Sequence, residues 1–144
     1  VVGRGGAEPP ADLYASNMHK PCLAQHAAFL VREDGGDAGW LREDAMYLQY
    51  FLNNYRNHHR HQETGLYFWQ NDVAIGVDND PATYGRPPRS SGSIYLNSLM
   101  YRELLACAYL LDRIGLDEGA AEFRRDAAAL SVAIQSHCWD ERDG

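Results

Sequence analysis

Apolar side chains recur every three or four residues in four segments of the chain, the spacing of helices that pack one face on a core. The first segment is about residues 21–33 and begins with Pro21, which suits a first helical turn. It should end near Gly35, since glycine pairs interrupt helices. Asp37 is placed to cap a second helix, whose apolar and aromatic side chains occupy residues 40–55.

The second half of the chain predicts a pair of longer helices. Ser91 or Ser93 can cap the first of them, over about residues 94–114, which is apolar almost all round and should be buried on most sides. Gly115 supplies a left-handed residue at its end, and Asp117 can cap the next helix. The apolar stripe of that last helix consists of Phe123, Ala127, Leu130 and Ile134. So short a connection predicts an antiparallel helical hairpin.

These patterns predict an all-α protein in which a buried helix is followed by a half-exposed one. Repeated hairpins of this kind build toroids and solenoids. Because the sequence has no repeat of fixed period, hairpins that form part of a toroid are favoured over a regular array. Residues 1–17 are rich in glycine and proline and are predicted to be an irregular N-terminal segment, ahead of a domain in residues 18–144.

Residues 62–92 separate the two pairs of helices and are far longer than an ordinary helix connection of about 2–8 residues. Glycine, proline, aspartate and asparagine are frequent in this stretch. Apolar side chains between Leu66 and Val77 give it anchors that disordered segments lack. We therefore expect an ordered loop that carries the functional site.

The loop combines carboxylates with aromatic and arginine side chains. The carboxylates are Glu63, Asp72, Asp78 and Asp80. Aromatic faces pack on sugar rings, and carboxylates hydrogen-bond sugar hydroxyls, so the composition suits a carbohydrate, although other polar ligands fit it too. Glycoside cleavage needs one carboxylic acid and a second carboxylate as base or nucleophile. Arg86 and Arg89 flank two prolines and could clamp a ligand or pair with these carboxylates; both readings remain open.

The alternative reading of residues 78–81, Asp-Asn-Asp-Pro, is an ordinary turn, and on composition alone it is the commoner one. An EF-hand calcium loop would need a glycine and a distal glutamate that the segment lacks. His58, His59 and His61 are more typical of a solvated helix end than of a metal site, because successive helical residues point in different directions. No metal or cofactor is predicted.

The composition limits the classes of binding partner and site that the chain can have. Thirteen basic residues against 20 acidic ones give a net charge of -7, which disfavours nonspecific binding to nucleic acid or to an anionic membrane. No apolar run approaches the roughly 20 residues that span a bilayer. The three cysteines are far apart, so neither a disulfide framework nor a zinc site is indicated.

Three blocks of the sequence resemble the central blocks of glycoside hydrolase family 63, of the related mannosylglycerate-hydrolase-like proteins and, more distantly, of trehalases. They are residues 65–69 (Gly-Leu-Tyr-Phe-Trp), 76–81 (Gly-Val-Asp-Asn-Asp-Pro) and 95–104 (Tyr-Leu-Asn-Ser-Leu-Met-Tyr-Arg-Glu-Leu). In the family they read approximately Gly-Leu-Tyr-x-Trp, Glu-Ser-Gly-Trp-Asp-Asn-Ser-Pro and Asp-Leu-Asn-x-x-x-Tyr-Arg-Glu. With flanking segments at both ends, the resemblance covers about residues 18–144 in the same order.

The resemblance implies an (α/α)6 toroid and an inverting glycosidase for oligosaccharides with α-linked glucosyl or mannosyl units. Asp78 stands at the position of the general acid. The predicted substrate-binding residues are Trp69, Asn79, Asp80, Arg86, Arg89 and Asn97. In such enzymes the partner base lies well downstream, outside this chain, so residues 18–144 would be a partial catalytic domain whose partners are the oligosaccharide and the remainder of the domain.

Three positions depart from the family blocks. Ala74 replaces a glutamate, Val77 a tryptophan and Tyr95 an aspartate. These changes leave the acid in place, and they motivate an alternative, a non-catalytic carbohydrate-binding or scaffolding helical domain. A sugar epimerase of the same fold would need proton transfer by a histidine, for which His26 is the candidate.

Overall fold

The computed structural model of the chain describes residues 18–70, 72–75, 77 and 80–142, with the backbone alone at residues 72 and 73. Its helices are α1 (Leu23–Glu33), α2 (Ala45–His58), α3 (Asp72–Ile75), α4 (Ile94–Arg113) and α5 (Asp117–Cys138), with a 3-10 turn at Gly39–Leu41. In these ranges extended pairing is limited to one isolated bridge, between Arg60 and Tyr67. The predicted all-α class is confirmed. The predicted irregular segment, residues 1–17, lies outside the described residues.

Helix α4 is the element on which the others are assembled. Half of its residues are buried, namely Leu96, Asn97, Met100, Glu103, Leu104, Ala106, Cys107, Ala108, Leu110 and Leu111. Helix α5 packs along one side of it and α1 along another. Two members of the buried set, Asn97 and Glu103, are polar, and polar residues are rarely buried without partners. They bind two other parts of the chain, the start of α1 and the backbone of Tyr67.

Helix α5 presents the apolar stripe that its sequence predicts. Phe123, Ala127 and Leu130 are buried, and Ile134 is partly buried against the same core. Each large apolar side chain buried in this way contributes about 1.5–3 kcal/mol. Packing of this stripe on α4 therefore accounts for much of the stability of the hairpin.

The ends of α1 and α4 follow the predicted glycine signals. After α4, Gly115 has φ 77°, and the Leu116 N–H donates to the Leu111 carbonyl at 2.9 Å, the bond that defines a Schellman motif. After α1, Gly35 has φ 67° and the Gly36 N–H donates to the Val31 carbonyl at 2.7 Å. At the start of α4, Ser93 is the N-cap, as one of the two predicted alternatives has it.

Two predicted caps are wrong. Asp37 accepts the Gly39 N–H at 2.8 Å, but this bond starts the 3-10 turn, and α2 begins only at Ala45. The backbone meanwhile makes bonds of the tighter i to i+3 type. Asp117 is the first helical residue of α5, and the N-cap is Leu116, which makes no side-chain cap bond. The N-cap of α5 lies one residue earlier than predicted. Leu116 is both the N-cap of α5 and the residue whose N–H closes the Schellman motif at the end of α4.

Several large apolar side chains of α1 and α2 are exposed: Leu23, Phe29, Leu30, Met46, Tyr47 and Tyr50. Exposed apolar faces on successive helices are typical of surfaces that other protein covers. The predicted toroid would provide such cover and stays a prediction. None of the helices in the described part of the chain is long and apolar enough to cross a membrane.

Candidate functional site

The first part of the long loop folds back on the end of α2 as a short hairpin. The His61 N–H donates to the Leu66 carbonyl and the Phe68 N–H to the His59 carbonyl, both at 2.9 Å. Gly65, with φ 74°, makes the turn, where a residue with a Cβ would be strained. The four residues that follow, 66–69, are all buried. The predicted anchors therefore hold this part of the loop in the core.

Asn97 attaches this segment to α4. The Tyr67 N–H donates to Asn97 Oδ1 at 2.8 Å, and Asn97 Nδ2 donates to the Tyr67 carbonyl at 3.0 Å and to the Ser93 carbonyl at 2.8 Å. The side chain is fully buried. Its polar atoms thus all bind backbone groups of the chain, and sugar binding by Asn97 remains a prediction.

Trp69 lies at the end of the buried segment with only 2% of its surface exposed. Its ring centroid is 6.2 Å from that of Tyr95, a half-exposed residue at the start of α4. The indole N–H has no hydrogen-bond partner among the described residues. A buried donor without a partner has an energetic cost. Contact between Trp69 and a sugar remains a prediction.

The turn at Asp80 begins the second part of the loop. Asp80 Oδ1 accepts the Ala82 N–H at 2.7 Å, and the Asp80 carbonyl accepts the N–H groups of Thr83 and Tyr84. This is the Asx-turn geometry that the turn alternative predicts for this aspartate. Asp78 and Asn79, predicted as general acid and substrate ligand, lie outside the described residues.

The two loop arginines are exposed and bound to uncharged groups. Arg86 Nε donates to the Pro81 carbonyl at 3.1 Å. Arg89 Nε donates to Gln70 Oε1 at 3.0 Å, and the Arg89 N–H to the Gln70 carbonyl at 3.3 Å. Arg89 has φ 63°, an uncommon conformation for a residue with a side chain. Arg89 thereby ties the second part of the loop to the residue after Trp69.

The predicted site residues therefore fall into two groups. Trp69, Arg89 and Asn97 are joined through the segment that ends at Gln70. Asp80 and Arg86 share the turn that starts at residue 80. A bond from the Ser91 hydroxyl to the Ala82 carbonyl closes this turn onto the end of the loop. Hydrogen bonds thus hold the described parts of the loop, residues 61–70 and 80–92.

A cleft of about 580 Å³ opens beside the hairpin. It is lined by His61, Gln62, Glu63, Thr64, Leu66, Ser90 and Gly92. Of the loop carboxylates whose side chains the structure describes, Glu63 borders it and Asp80 does not. Among the described residues, none that lines this cleft was predicted to bind substrate.

The histidines do not form a metal site in the part of the chain that the structure describes, where no three potential ligands cluster. His59 is buried against Tyr55, and His61 packs on Phe68 with ring centroids 4.6 Å apart. His58 is exposed. His26 is exposed, and its Nδ1 lies 2.6 Å from the Cys22 carbonyl oxygen, within its own helix turn.

Sequence reasoning missed Glu103. Its carboxyl is buried and accepts the Ala24 N–H at 2.6 Å and the Gln25 N–H at 3.1 Å. Burial raises the pKa of this carboxyl, and these hydrogen bonds oppose the increase. The available signal was a charged residue on an otherwise apolar helix face. Its partners, nearly eighty residues away, could not be deduced from that signal.

Comparison with known proteins identifies one family. Residues 6–144 match the mannosylglycerate hydrolase MGH1-like glycoside hydrolase domain. Searches of curated proteins and of solved structures found no match. The match covers the described helices and the loop between α2 and α4, in agreement with the resemblance of the three sequence blocks. The chain therefore belongs to the MGH1-like glycoside hydrolase domain family.

Proposed function

We propose that this chain supplies the general-acid half of an inverting glycoside hydrolase for oligosaccharides with α-linked glucosyl or mannosyl units. The observation that carries the proposal is membership of a glycoside hydrolase family across residues 6–144. The hydrogen bonds that hold residues 61–70 and 80–92 of the loop support it, because catalytic groups need a fixed scaffold. Mannosylglycerate, named in the description of the family, is one candidate substrate.

Asp78 is the proposed acid. Its carboxyl would protonate the leaving oxygen while a second carboxylate activates water on the opposite face of the sugar. Among its neighbours, Asp80 already uses its carboxylate to hold the turn. Asp80 is therefore proposed to hold the loop and contact the sugar, and the role of proton donor is proposed for Asp78 alone.

The proposed sugar contacts come from both parts of the loop. Trp69 lies beside the more exposed ring of Tyr95, and aromatic faces pack well on sugar rings, so we propose that a sugar reaches Trp69 from the Tyr95 side. Arg86 and Arg89 each donate one Nε–H within the loop, and each guanidinium has further donors for hydroxyl groups. Asn79 and Asp80 would complete the contacts. Asn97 would contribute by holding the segment that carries Trp69.

The general base is proposed to lie outside these 144 residues, in further hairpins of an (α/α)6 toroid. The exposed apolar side chains of α1 and α2 support this, because additional helices would cover them. We expect the chain by itself to release no sugar. Hydrolysis by the isolated chain would contradict this part of the proposal.

The test compares the full-length protein with its D78N variant and with D80N as the matched control. Loss of a general acid typically costs about 10²–10⁴-fold in rate, so D78N should lose most hydrolysis of an α-glucosyl and α-mannosyl panel. D80N changes a proposed sugar contact and a turn bond but not the acid, so its loss should be smaller than that of D78N and should include a rise in KM. Proton NMR of the first product should show an inverted anomer. Near-normal turnover by D78N would remove Asp78 from the role of acid.

A non-catalytic carbohydrate-binding domain is the second candidate. It is favoured by the three departures from the family blocks, one of which, Val77, is an exposed apolar residue beside the proposed acid. Titration with the same panel separates the two candidates. Binding by the full-length protein without release of sugar would support the binding domain.

A further inference from the structure

The two buried polar residues of α4 hold two different segments of the chain. Asn97 and Glu103 have 0% and 1% of their surface exposed. They are six residues apart, about 9 Å along the helix axis. Asn97 binds the backbone of Tyr67, whereas Glu103 binds the start of α1.

Glu103 caps α1 from a different helix. Its Oε1 accepts the Ala24 N–H, and its Oε2 accepts both the N–H and the Nε2 of Gln25, each at 3.1 Å. Cys22, at the N-cap position, makes no side-chain cap bond. Glu103 therefore satisfies two of the N–H groups that a helix start leaves unpaired. Because both oxygens accept only N–H donors, the geometry is that of an ionised carboxylate.

The segment before α1 is in turn held on α2. The Tyr55 hydroxyl donates to the His19 carbonyl, and Asn54 Nδ2 lies 2.9 Å from the sulfur of Met18. The ring of Tyr55 meets that of Tyr67 edge-on, with centroids 6.3 Å apart. Tyr67 is the residue that Asn97 holds.

These contacts form a closed circuit that starts and ends on α4. It runs from Glu103 to the start of α1, through His19 to Tyr55, and through Tyr67 to Asn97; we call it the α4 circuit. We propose that Glu103 is a positioning residue which, through the α4 circuit, fixes the segment that carries Trp69. A closed set of buried and partly buried contacts has few ways to relax, so a change at one link is transmitted to the others.

A local cap would predict a different result. If Glu103 served α1 alone, its loss would free the first turn of α1 and leave Trp69 unchanged. The rate of hydrogen exchange at the amides of Ala24 and Gln25 measures whether the start of α1 is still capped. The fluorescence of Trp69 measures whether the segment held by Asn97 has moved. Neither readout depends on the glycosidase activity, although any effect of Glu103 on hydrolysis rests on the proposed function.

The chain allows Trp69 to be observed alone. Trp40 and Trp139 are 52% and 61% exposed, so replacing both with phenylalanine should leave the core intact. Acrylamide quenching then measures access to Trp69. The test variant in this background is E103Q. It keeps the shape of the Glu103 side chain but replaces one accepting oxygen with an NH2 group, a donor that would face an N–H. The matched control is E33Q, an exposed glutamate at the other end of α1.

The proposal predicts two changes in E103Q at neutral pH. Exchange at Ala24 or Gln25 should become about tenfold faster, and the quenching constant of Trp69 should rise about twofold, while the α5 amides keep their rates. E33Q should show neither change. Faster exchange with unchanged quenching would overturn the proposal in favour of a local cap. Unchanged exchange would overturn the cap itself.

A milder variant keeps the test valid if E103Q fails to fold. Y55F removes only the hydroxyl that bonds to the His19 carbonyl in the middle of the circuit. The circuit predicts that both readouts change together, at Ala24 and Gln25 on one side and at Trp69 on the other. A change on one side only would contradict it.

Discussion

The side chain of Asn97 is hydrogen-bonded to both backbone polar groups of Tyr67, with distances of 2.8 Å from the Tyr67 N–H and 3.0 Å to its carbonyl. A side-chain amide that bonds both the N–H and the carbonyl of one residue provides the hydrogen bonds that a neighbouring β-strand would provide. The segment it holds is attached to the hairpin on one side and to α4 on the other.

Replacing Asn97 with alanine should lower the free energy of unfolding by about 2–4 kcal/mol, because two buried backbone groups of Tyr67 lose their partners. Urea denaturation measures the loss. The control is N57A, an exposed asparagine near the end of α2, which should stay within about 0.5 kcal/mol of the wild type. A loss no larger than that of the control would show that water replaces the amide.

The helices could be predicted from sequence because their signals are local. Apolar periodicity and the left-handed glycines at positions 35 and 115 placed the ends of α1 and α4. The cap at Asp37 could not be predicted correctly, since an aspartate side chain can begin either a 3-10 turn or an α-helix. The choice between them depends on how the following residues pack.

The site was only partly predictable for a different reason. The loop could be recognised from its length and composition, and its turn at Asp80 from its residue types. The roles of Asn97 and Glu103 in holding the chain depend on partners 30 and 79 residues away. A single sequence shows that a polar residue lies on an apolar helix, and it does not show which backbone groups that residue binds.

The pH dependence of stability should carry a signature of Glu103. Burial raises the pKa of its carboxyl, so the folded state holds this proton more tightly than the unfolded chain does. This tighter proton binding adds to the free energy of unfolding. The contribution is complete below the ordinary glutamate pKa, and it is lost as the pH rises through the raised pKa of Glu103 in the folded protein. The stability of the wild type relative to E103Q, measured by urea denaturation, should therefore decrease as the pH rises above the ordinary glutamate pKa of about 4.3.

The control for this titration is E33Q, whose stability relative to the wild type should not follow the same trend. A wild-type advantage over E103Q that grows with pH would mean that the N–H bonds from Ala24 and Gln25 outweigh burial. The pKa of Glu103 would then be lowered in the folded protein.

Cys107 should be unreactive in the folded protein. It has no exposed surface, and burial raises the pKa of its thiol to about 12, with a further contribution from the charge of Glu103. At pH 8 about one thiol in 10⁴ would be ionised, and the thiolate is the reactive form. Iodoacetamide followed by peptide mass spectrometry should find Cys22 modified well before Cys107. In urea the two should react alike, and early labelling of native Cys107 would indicate frequent opening of the core.

Arg56 joins α2 to α5 through two carboxylates of unequal exposure. Its Nη1 lies 2.5 Å from Glu122 and 2.9 Å from Asp126, whose side chains are 47% and 19% exposed. Exposed ion pairs contribute about 0–1 kcal/mol, and the contribution falls as solvent screening increases. We therefore expect D126N to lower the free energy of unfolding by close to 1 kcal/mol and E122Q to have almost no effect.

Double-mutant cycles with R56M isolate the two interactions in this cluster. The coupling of Arg56 to Asp126 should persist in high salt, because the pair is partly shielded from solvent, whereas its coupling to Glu122 should disappear. Equal couplings at low salt that both vanish at high salt would show that Arg56 interacts with a diffuse negative surface. In that case the 2.9 Å contact with Asp126 would not contribute specifically to holding α2 against α5.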